Sequence, residues 1–252
     1  MKFLKILLGV HIKTCNNMVY GELGRFPLNI TIKQRIVGYW ARMLSGKETK
    51  LTRLIYNQIR DMYTQNLFKS DWLEFLRNTL VECGMLNIWE SNQSVSINVL
   101  KSRVQNKLKE NFIHKWLNDL SIMPSCDVYA NFKTNFAPEP YLIELPPCLR
   151  LSLCRFRLSN TRLPKILGRY TNTPRDQRFC TLCTMVEKLG DEFHLLFECN
   201  HPQLVQLRVK YIPNSYLNQP SMQKCIDLIG NENPEIIRKL AVFLRNSLKL
   251  LR

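Results

Sequence analysis

The chain has 252 residues, a length that suits one large domain or two small ones. Hydrophobic residues make up 45% and charged residues 22%, which excludes wholesale disorder, and no run of 18 apolar residues exists, which excludes a membrane-spanning helix. Thirty-six basic against 20 acidic residues leave a net charge of +16, and a chain this basic is expected to meet polyanions.

The dominant hydrophobic period is helical. Leu4, Leu7 and Leu8 stack with His11 on one face of a short first helix, which Asn16 and Asn17 interrupt. Pro27 suits a first helical turn, Leu28, Ile32, Ile36, Tyr39 and Met43 follow at spacings of three or four, and Gly46 ends the run. Leu51, Leu54, Ile55, Ile59 and Met62 continue the pattern. Residues 71–82 form another helix, with Ser70 as cap and Gly84 as stop. The clearest helix is 97–120, where Ile97, Leu100, Val104, Leu108, Phe112, Trp116 and Leu120 make one core stripe.

Residues 121–145 contain Pro124, Pro138 and Pro140 and read as a linker with a short strand. Pro146 and Pro147 open a basic helix that runs to about Ser159, and residues 160–200 are short and turn-rich. Helices follow near 202–211 and 221–229. Asn233, Pro234 and Glu235 start the last one, carried by Ile236, Leu240, Leu244, Leu248 and Leu251. The expected fold is mainly α, with a small zinc-stapled, turn-rich module near the C-terminal third. The expected division is a basic helical segment over 1–62, a helical middle region over 63–133, a basic segment with a zinc-knuckle-like module over 134–212, and C-terminal helices over 213–252.

The charge is not spread evenly. Residues 1–60 carry net +9 and residues 150–178 net +7, whereas 61–149 carry −2 and 179–252 only +2. In the second basic block Arg150, Arg155, Arg157, Arg162, Lys165, Arg169, Arg175 and Arg178 alternate with Phe156, Tyr170 and Phe179. Arginine forks match phosphate oxygens, and aromatic faces accept unpaired bases. The eight cations and Tyr170 are therefore the candidate nucleic-acid contacts. Taken singly, each also reads as a solvated charge or a core ring.

Nine cysteines, an odd number at irregular spacings, do not describe a secreted disulfide scaffold. The first ten residues faintly imitate a signal peptide, but Lys5 cuts the apolar stretch to five residues. The expected location is intracellular, nucleus or cytoplasm, with no membrane partner. Among the cysteines, Cys180 and Cys183 are followed by His194 and Cys199 in the spacing C-x2-C-x10-H-x4-C. A two-residue gap lets one tight turn aim two thiolates at the same ion, and zinc wants four N/S ligands in a tetrahedron. The alternative is a buried cysteine pair beside a core histidine. Five α-helical residues turn about 500°, so His194 and Cys199 do not share a face of a straight helix. The chain is expected to unwind near Cys199, helped by Asn200 and Pro202. His201 is a substitute fourth ligand. A Cys3His shell is closed, which makes one structural Zn2+ per chain the expected cofactor.

There is no Asp-Asp pair, no phosphate-cradling G-x-x-x-x-G-K-[ST], no G-x-G-x-x-G and no H-E-x-x-H. No catalytic residue is expected.

Two stretches are familiar. Residues 3–10 (FLKILLGV), 15–28 (CNNMVYGELGRFPL) and 38–44 (GYWARML) resemble the segment after the palm in non-LTR (LINE-type) retrotransposon reverse transcriptases. Residues 163–170 (LPKILGRY), 174–183 (PRDQRFCTLC) and 190–199 (GDEFHLLFEC) resemble the cysteine–histidine tail of animal elements of this kind. The resemblance implies a thumb-like segment over 1–60 that binds primer–template backbone. It also implies a zinc tail, ligated by Cys180, Cys183, His194 and Cys199, that helps hold RNA or DNA. Polymerase and endonuclease activities do not carry over, because their catalytic segments are absent from the 252 residues. A face that would pack on a palm implies self-association. The rival readings are a zinc-stabilised protein-interaction module and a non-functional transposon relic.

Overall fold

Helix starts are written locally in this chain. The Ser70 hydroxyl accepts the Leu73 N–H at 3.3 Å and the Ser221 hydroxyl accepts the Lys224 N–H at 3.2 Å. The Asn233 side chain accepts the N–H groups of Glu235 and Ile236 at 2.9 and 3.3 Å. Each bond satisfies a donor that has no partner inside its helix. Prolines open the helices Pro147–Arg157, Pro164–Tyr170, Pro202–Tyr211 and Pro234–Ser247, where a missing N–H costs nothing. Gly84, at φ 67°, takes the left-handed conformation just after Asp71–Glu82.

The computed structural model describes residues 1–183 and 187–251. Thr184, Met185 and Val186, inside the ten-residue spacer of the cysteine–histidine pattern, and Arg252 in the last expected domain lie outside the described residues. The chain is 66% helical, with no strand among the described residues. Phe179 and Leu189 form an isolated antiparallel bridge.

Two local expectations change. Over 121–145 the expected linker and strand are instead short helical turns at Pro124–Cys126, Tyr129–Phe132 and Tyr141–Glu144. Pro124 begins the first of these, and the wholly packed rings of Tyr129 and Tyr141 anchor the other two. In the first helix, Lys2–Leu7, Leu7 and His11 face outward. Leu8 is buried as expected, but Lys5 turns in beside it, its ammonium donating to the Ile12 carbonyl at 2.6 Å.

The chain divides into two compact units, Phe26–Trp116 and Met1–Arg25 together with Leu117–Arg252. The boundaries expected at 62, 133 and 212 are not the ones found. They followed charge and proline breaks, whereas compactness follows shared buried faces.

The Phe26–Trp116 unit is an aliphatic and aromatic bundle. The Leu28–Leu44 helix packs against both Leu51–Thr64 and Asp71–Glu82. Trp40, Leu73, Leu76, Leu80 and Val104 are fully buried. Its core also holds polar groups: Trp40 Nε1 donates to Tyr56 Oη at 2.9 Å and that hydroxyl donates to Asn92 Oδ1 at 3.2 Å, while the buried Arg53 donates to the Asn92 carbonyl at 3.3 Å and the buried Thr79 hydroxyl to the Phe75 carbonyl at 2.8 Å.

In the other unit, Pro147–Arg157, Pro202–Tyr211 and Met222–Ile229 all pack on the Pro234–Ser247 helix. Its centre carries charge. Glu22, wholly buried, accepts from Arg157 Nε at 2.8 Å and from the Tyr129 hydroxyl at 3.0 Å. Arg157 also donates to Glu139 at 2.6 Å and to the Ile229 carbonyl at 2.7 Å, with its guanidinium 4.5 Å from the Phe132 ring centroid. Burial opposes the Arg157 charge, but the carboxylates of Glu22 and Glu139 outweigh it and hold the group above its usual pKa.

Candidate metal centre and basic groove

The cysteine–histidine cluster is built by two turns. The Phe179–Leu189 bridge is flanked by Cys180 N–H donating to the Lys188 carbonyl at 2.8 Å and Gly190 N–H donating to the Arg178 carbonyl at 2.9 Å. Cys180 thus stands next to the bridge, and the Leu182 N–H donates to Cys180 Sγ at 3.4 Å. Asp191 Oδ1 accepts the His194 N–H at 2.9 Å and starts the second turn. That turn, His194–Glu198, is a π-helix whose closing bond runs from the Cys199 N–H to the His194 carbonyl at 2.8 Å. The chain leaves the helix at Cys199, whose φ of −55° and ψ of 124° are not helical, as expected next to Asn200 and Pro202. Before that point it also widens one turn so that positions five apart meet, a device common at functional sites.

Cys180 Sγ lies 3.9 Å from Cys199 Sγ, and Cys183 Sγ lies 3.3 Å from His194 Nε2. All four ligand atoms fall within 4.8 Å of one another, so the cluster could hold a metal ion. His194 Nδ1 is 3.3 Å from Glu198 Oε2, which orients the ring and leaves Nε2 for an ion. Burial pushes the Cys199 thiol up to about 12, and the Cys180 and Cys183 sulfurs push the same way. Three thiolates this close need a cation to stay ionised together. His201, the substitute ligand expected from the sequence, stands outside the cluster at the N-cap position of Pro202–Tyr211, without a side-chain cap bond.

Arg208 was not singled out by the sequence. Its buried guanidinium donates to the carbonyls of Cys199 at 3.0 Å and Leu195 at 3.3 Å, tying Pro202–Tyr211 to the ligand turn. The signal for it is its place one turn after the fully buried Leu204, on the inward face of that helix.

The nine expected nucleic-acid contacts separate into three groups. Arg157 is a core ion-pair cation, as described above. Lys165 is buried too, 2.9 Å from Glu192 and 3.2 Å from Asp127. Both leave the candidate surface, because their charges are already matched. Arg178 lies against Gly168, where a Cβ would collide with its side chain, and donates to the carbonyls of Thr173 and Lys165 at 2.9 and 3.0 Å. Arg150 donates to the Leu142 carbonyl at 2.8 Å, and Arg169 reaches the Pro124 carbonyl at 3.2 Å. Arg155, Arg162, Tyr170 and Arg175 are exposed. Of the interleaved rings, Phe156 is core and Phe179 is 39% exposed.

Three of these exposed residues share a groove with residues the sequence reading left out. A cleft of about 940 Å³ is lined by Arg155, Arg162 and Tyr170 together with Lys13, Arg245 and Lys249. None of its lining residues is acidic. The Lys13 ammonium sits 5.6 Å from the Tyr170 ring centroid. Arg155 is held in place by donating Nε to the Gly9 carbonyl at 2.8 Å, which leaves its other nitrogens free to meet a ligand. The missed signal was the four-residue spacing of Arg245 and Lys249 at the end of the last helix. No family model, curated protein or solved structure matches the chain. No helix among the described residues is long and apolar enough to cross a membrane.

Proposed function

We propose that this chain is a zinc-containing nucleic-acid-binding protein without catalytic chemistry of its own. The acid-free groove carries the reading. Its five cations and one exposed ring match a phosphate backbone and an unpaired base. Contacts of this kind are dominated by backbone charge, so either RNA or DNA fits them. The resemblance to the post-palm and cysteine–histidine regions of LINE-type reverse transcriptases agrees with the same partner.

Zinc is the metal the donor set favours. Tetrahedral zinc separates two sulfurs by about 3.8 Å and a sulfur from a nitrogen by about 3.5 Å. The corresponding spacings here are 3.9 and 3.3 Å. Three thiolates and an imidazole close the shell, so the ion is a structural staple. Thiolate ligands and free thiols persist in reducing compartments, which supports the nucleus or cytoplasm.

The test is a titration of the purified chain against fluorescent single-stranded RNA across salt, with metal content measured on the same sample. The expected result is one zinc per chain and an affinity that falls steeply with salt. Arg162→Ala/Arg245→Ala/Lys249→Ala should flatten that slope. Salt-independent binding, or an unchanged slope in the triple variant, would refute the reading.

A second reading has its own observation. Phe3, Ile6 and Leu7 are 72, 66 and 62% exposed on the Lys2–Leu7 helix, an apolar surface suited to a protein contact or to self-association. Concentration-dependent sedimentation that disappears in Phe3→Ser/Leu7→Ser would favour it.

A further inference from the structure

A second group of sulfurs lies apart from the metal centre. Cys15 is the residue just before the Asn16–Leu23 helix, and Cys126 ends the Pro124–Cys126 turn. Their Sγ atoms are 3.6 Å apart, and Met123 Sδ lies 3.8 Å from Cys15 Sγ. Cys126 is fully buried, while Cys15 is half-buried and reaches solvent. A disulfide holds its sulfurs about 2.05 Å apart, so small side-chain rotations close this gap.

The surroundings give the two thiols different characters. The hydrogen bond from Cys126 is the largest influence on Cys15 and lowers its pKa against the opposing effect of burial. The N–H groups of Met18 and Asn17 at the helix start, and the Lys5 ammonium, act in the same direction. That hydrogen bond, with burial, keeps Cys126 protonated. Elsewhere, burial pushes Cys83 up to about 11 and Cys154 and Cys225 up to about 12, which makes them unreactive.

We infer that Cys15 and Cys126 form a peroxide-responsive pair, with Cys15 the thiol that is oxidised and Cys126 the thiol that resolves it. The Cys15 thiolate attacks one oxygen of hydrogen peroxide. An S–O bond forms, the O–O bond breaks and hydroxide leaves, taking a proton to become water. Cys15 is then a sulfenic acid. The Cys126 sulfur attacks the sulfenic sulfur, an S–S bond forms, and the S–O bond breaks. The departing oxygen leaves as a second water with the proton from Cys126. Two thiols are oxidised and one peroxide is reduced to two waters. The new bond joins positions 111 residues apart, a loop that encloses all of Phe26–Trp116 and ties Met1–Arg25 to the chain that follows Leu117. A loop that long strongly restrains the unfolded chain.

The experiment treats the purified full chain with equimolar hydrogen peroxide, digests it without reduction and maps the peptides by mass spectrometry. A Cys15–Cys126 linked peptide, lighter by two hydrogens, should form before any other disulfide and without loss of metal. The oxidised protein should melt on the order of 5–10 °C higher. In Cys126→Ser, Cys15 should stop at the sulfenic acid and be trapped by dimedone. In unmodified protein, iodoacetamide should label Cys15 several-fold faster than the more exposed Cys148. This comparison needs no variant, so it decides the matter even where Cys126→Ser fails to fold. Equal or slower labelling of Cys15, or oxidation of the metal-centre cysteines while Cys15 and Cys126 remain thiols, would overturn the inference.

Discussion

The two units of this chain draw their stability from different sources. Phe26–Trp116 is held by a continuous apolar core, with the Trp40–Tyr56–Asn92 relay and a buried arginine, Arg53, at its margin but no buried carboxylate among the described residues. The unit formed by Met1–Arg25 and Leu117–Arg252 is organised around buried charge instead. Arg157 sits between Glu22 and Glu139, Lys165 between Glu192 and Asp127, and four soft ligands gather at 180–199. An apolar core loses transfer energy and gains a cavity when one side chain is trimmed, but no charge is left unpaired. A buried ion pair or a thiolate cluster differs, since removing one member strands a charge. The cysteine–histidine cluster and the acid-free groove both lie in the second unit. There, charge pairing, and the metal proposed above, would fix backbone turns that hydrophobic burial alone would leave loose.

Removing the proposed zinc should separate the units most sharply. Structural zinc is worth about 10–16 kcal/mol of folding free energy in small zinc modules. Chelation, or Cys180→Ser/Cys183→Ser, should abolish amide-exchange protection at the Cys180, Gly190 and Cys199 amides and weaken it in Pro202–Tyr211, which Arg208 tethers to the His194–Cys199 turn. Protection in Phe26–Trp116 should persist. Equal loss in both units would contradict the division.

Arg157→Met comes next. It leaves Glu22 buried without its cation and should cost about 3–5 kcal/mol in a urea titration. Adding Glu22→Gln should recover part of this, so that the double variant is less destabilised than the sum of the two singles. Strict additivity would mean that the pair is not coupled.

Leu76→Ala probes the apolar unit, at about 2–5 kcal/mol. It should leave metal content unchanged, and zinc loss in this variant would show that the two kinds of stability are not independent. The smallest effect is Asn233→Ala, which removes a cap that accepts two N–H groups and should cost about 1 kcal/mol. A change within error would show that solvent replaces the cap.

The same contrast explains what could be read from sequence. The apolar unit was legible because its pattern has one period: Leu100, Val104, Leu108 and their neighbours recur at helical spacing, and Ser70 and Gly84 mark a start and a stop. That Cys180, Cys183, His194 and Cys199 come together was legible from spacing, since a C-x2-C pair needs only one tight turn. The π-turn that precedes the break at Cys199 was not, because a widened turn leaves no compositional trace. Nor could sequence show which cations are neutralised. Arg157 and Arg155 are two positions apart on one helix, one facing the carboxylates of Glu22 and Glu139 and the other facing solvent. The partners that decide between them are 135 residues away in one case and 146 in the other. The unit boundaries were hidden for the same reason, because Met1–Arg25 packs with residues more than a hundred positions later.

The central claim is that binding depends on where the charge lies and not on its total. The most direct measurement compares two triple variants of equal charge in a single-stranded RNA titration across salt. One is Arg162→Ala/Arg245→Ala/Lys249→Ala in the groove. The other is Lys69→Ala/Arg77→Ala/Arg103→Ala, at exposed positions of the Phe26–Trp116 unit. The groove variant should lose affinity and flatten the log–log salt slope by about 2, while the other stays near the unmodified chain. Equal losses in the two variants, or no binding by the unmodified chain, would contradict the account.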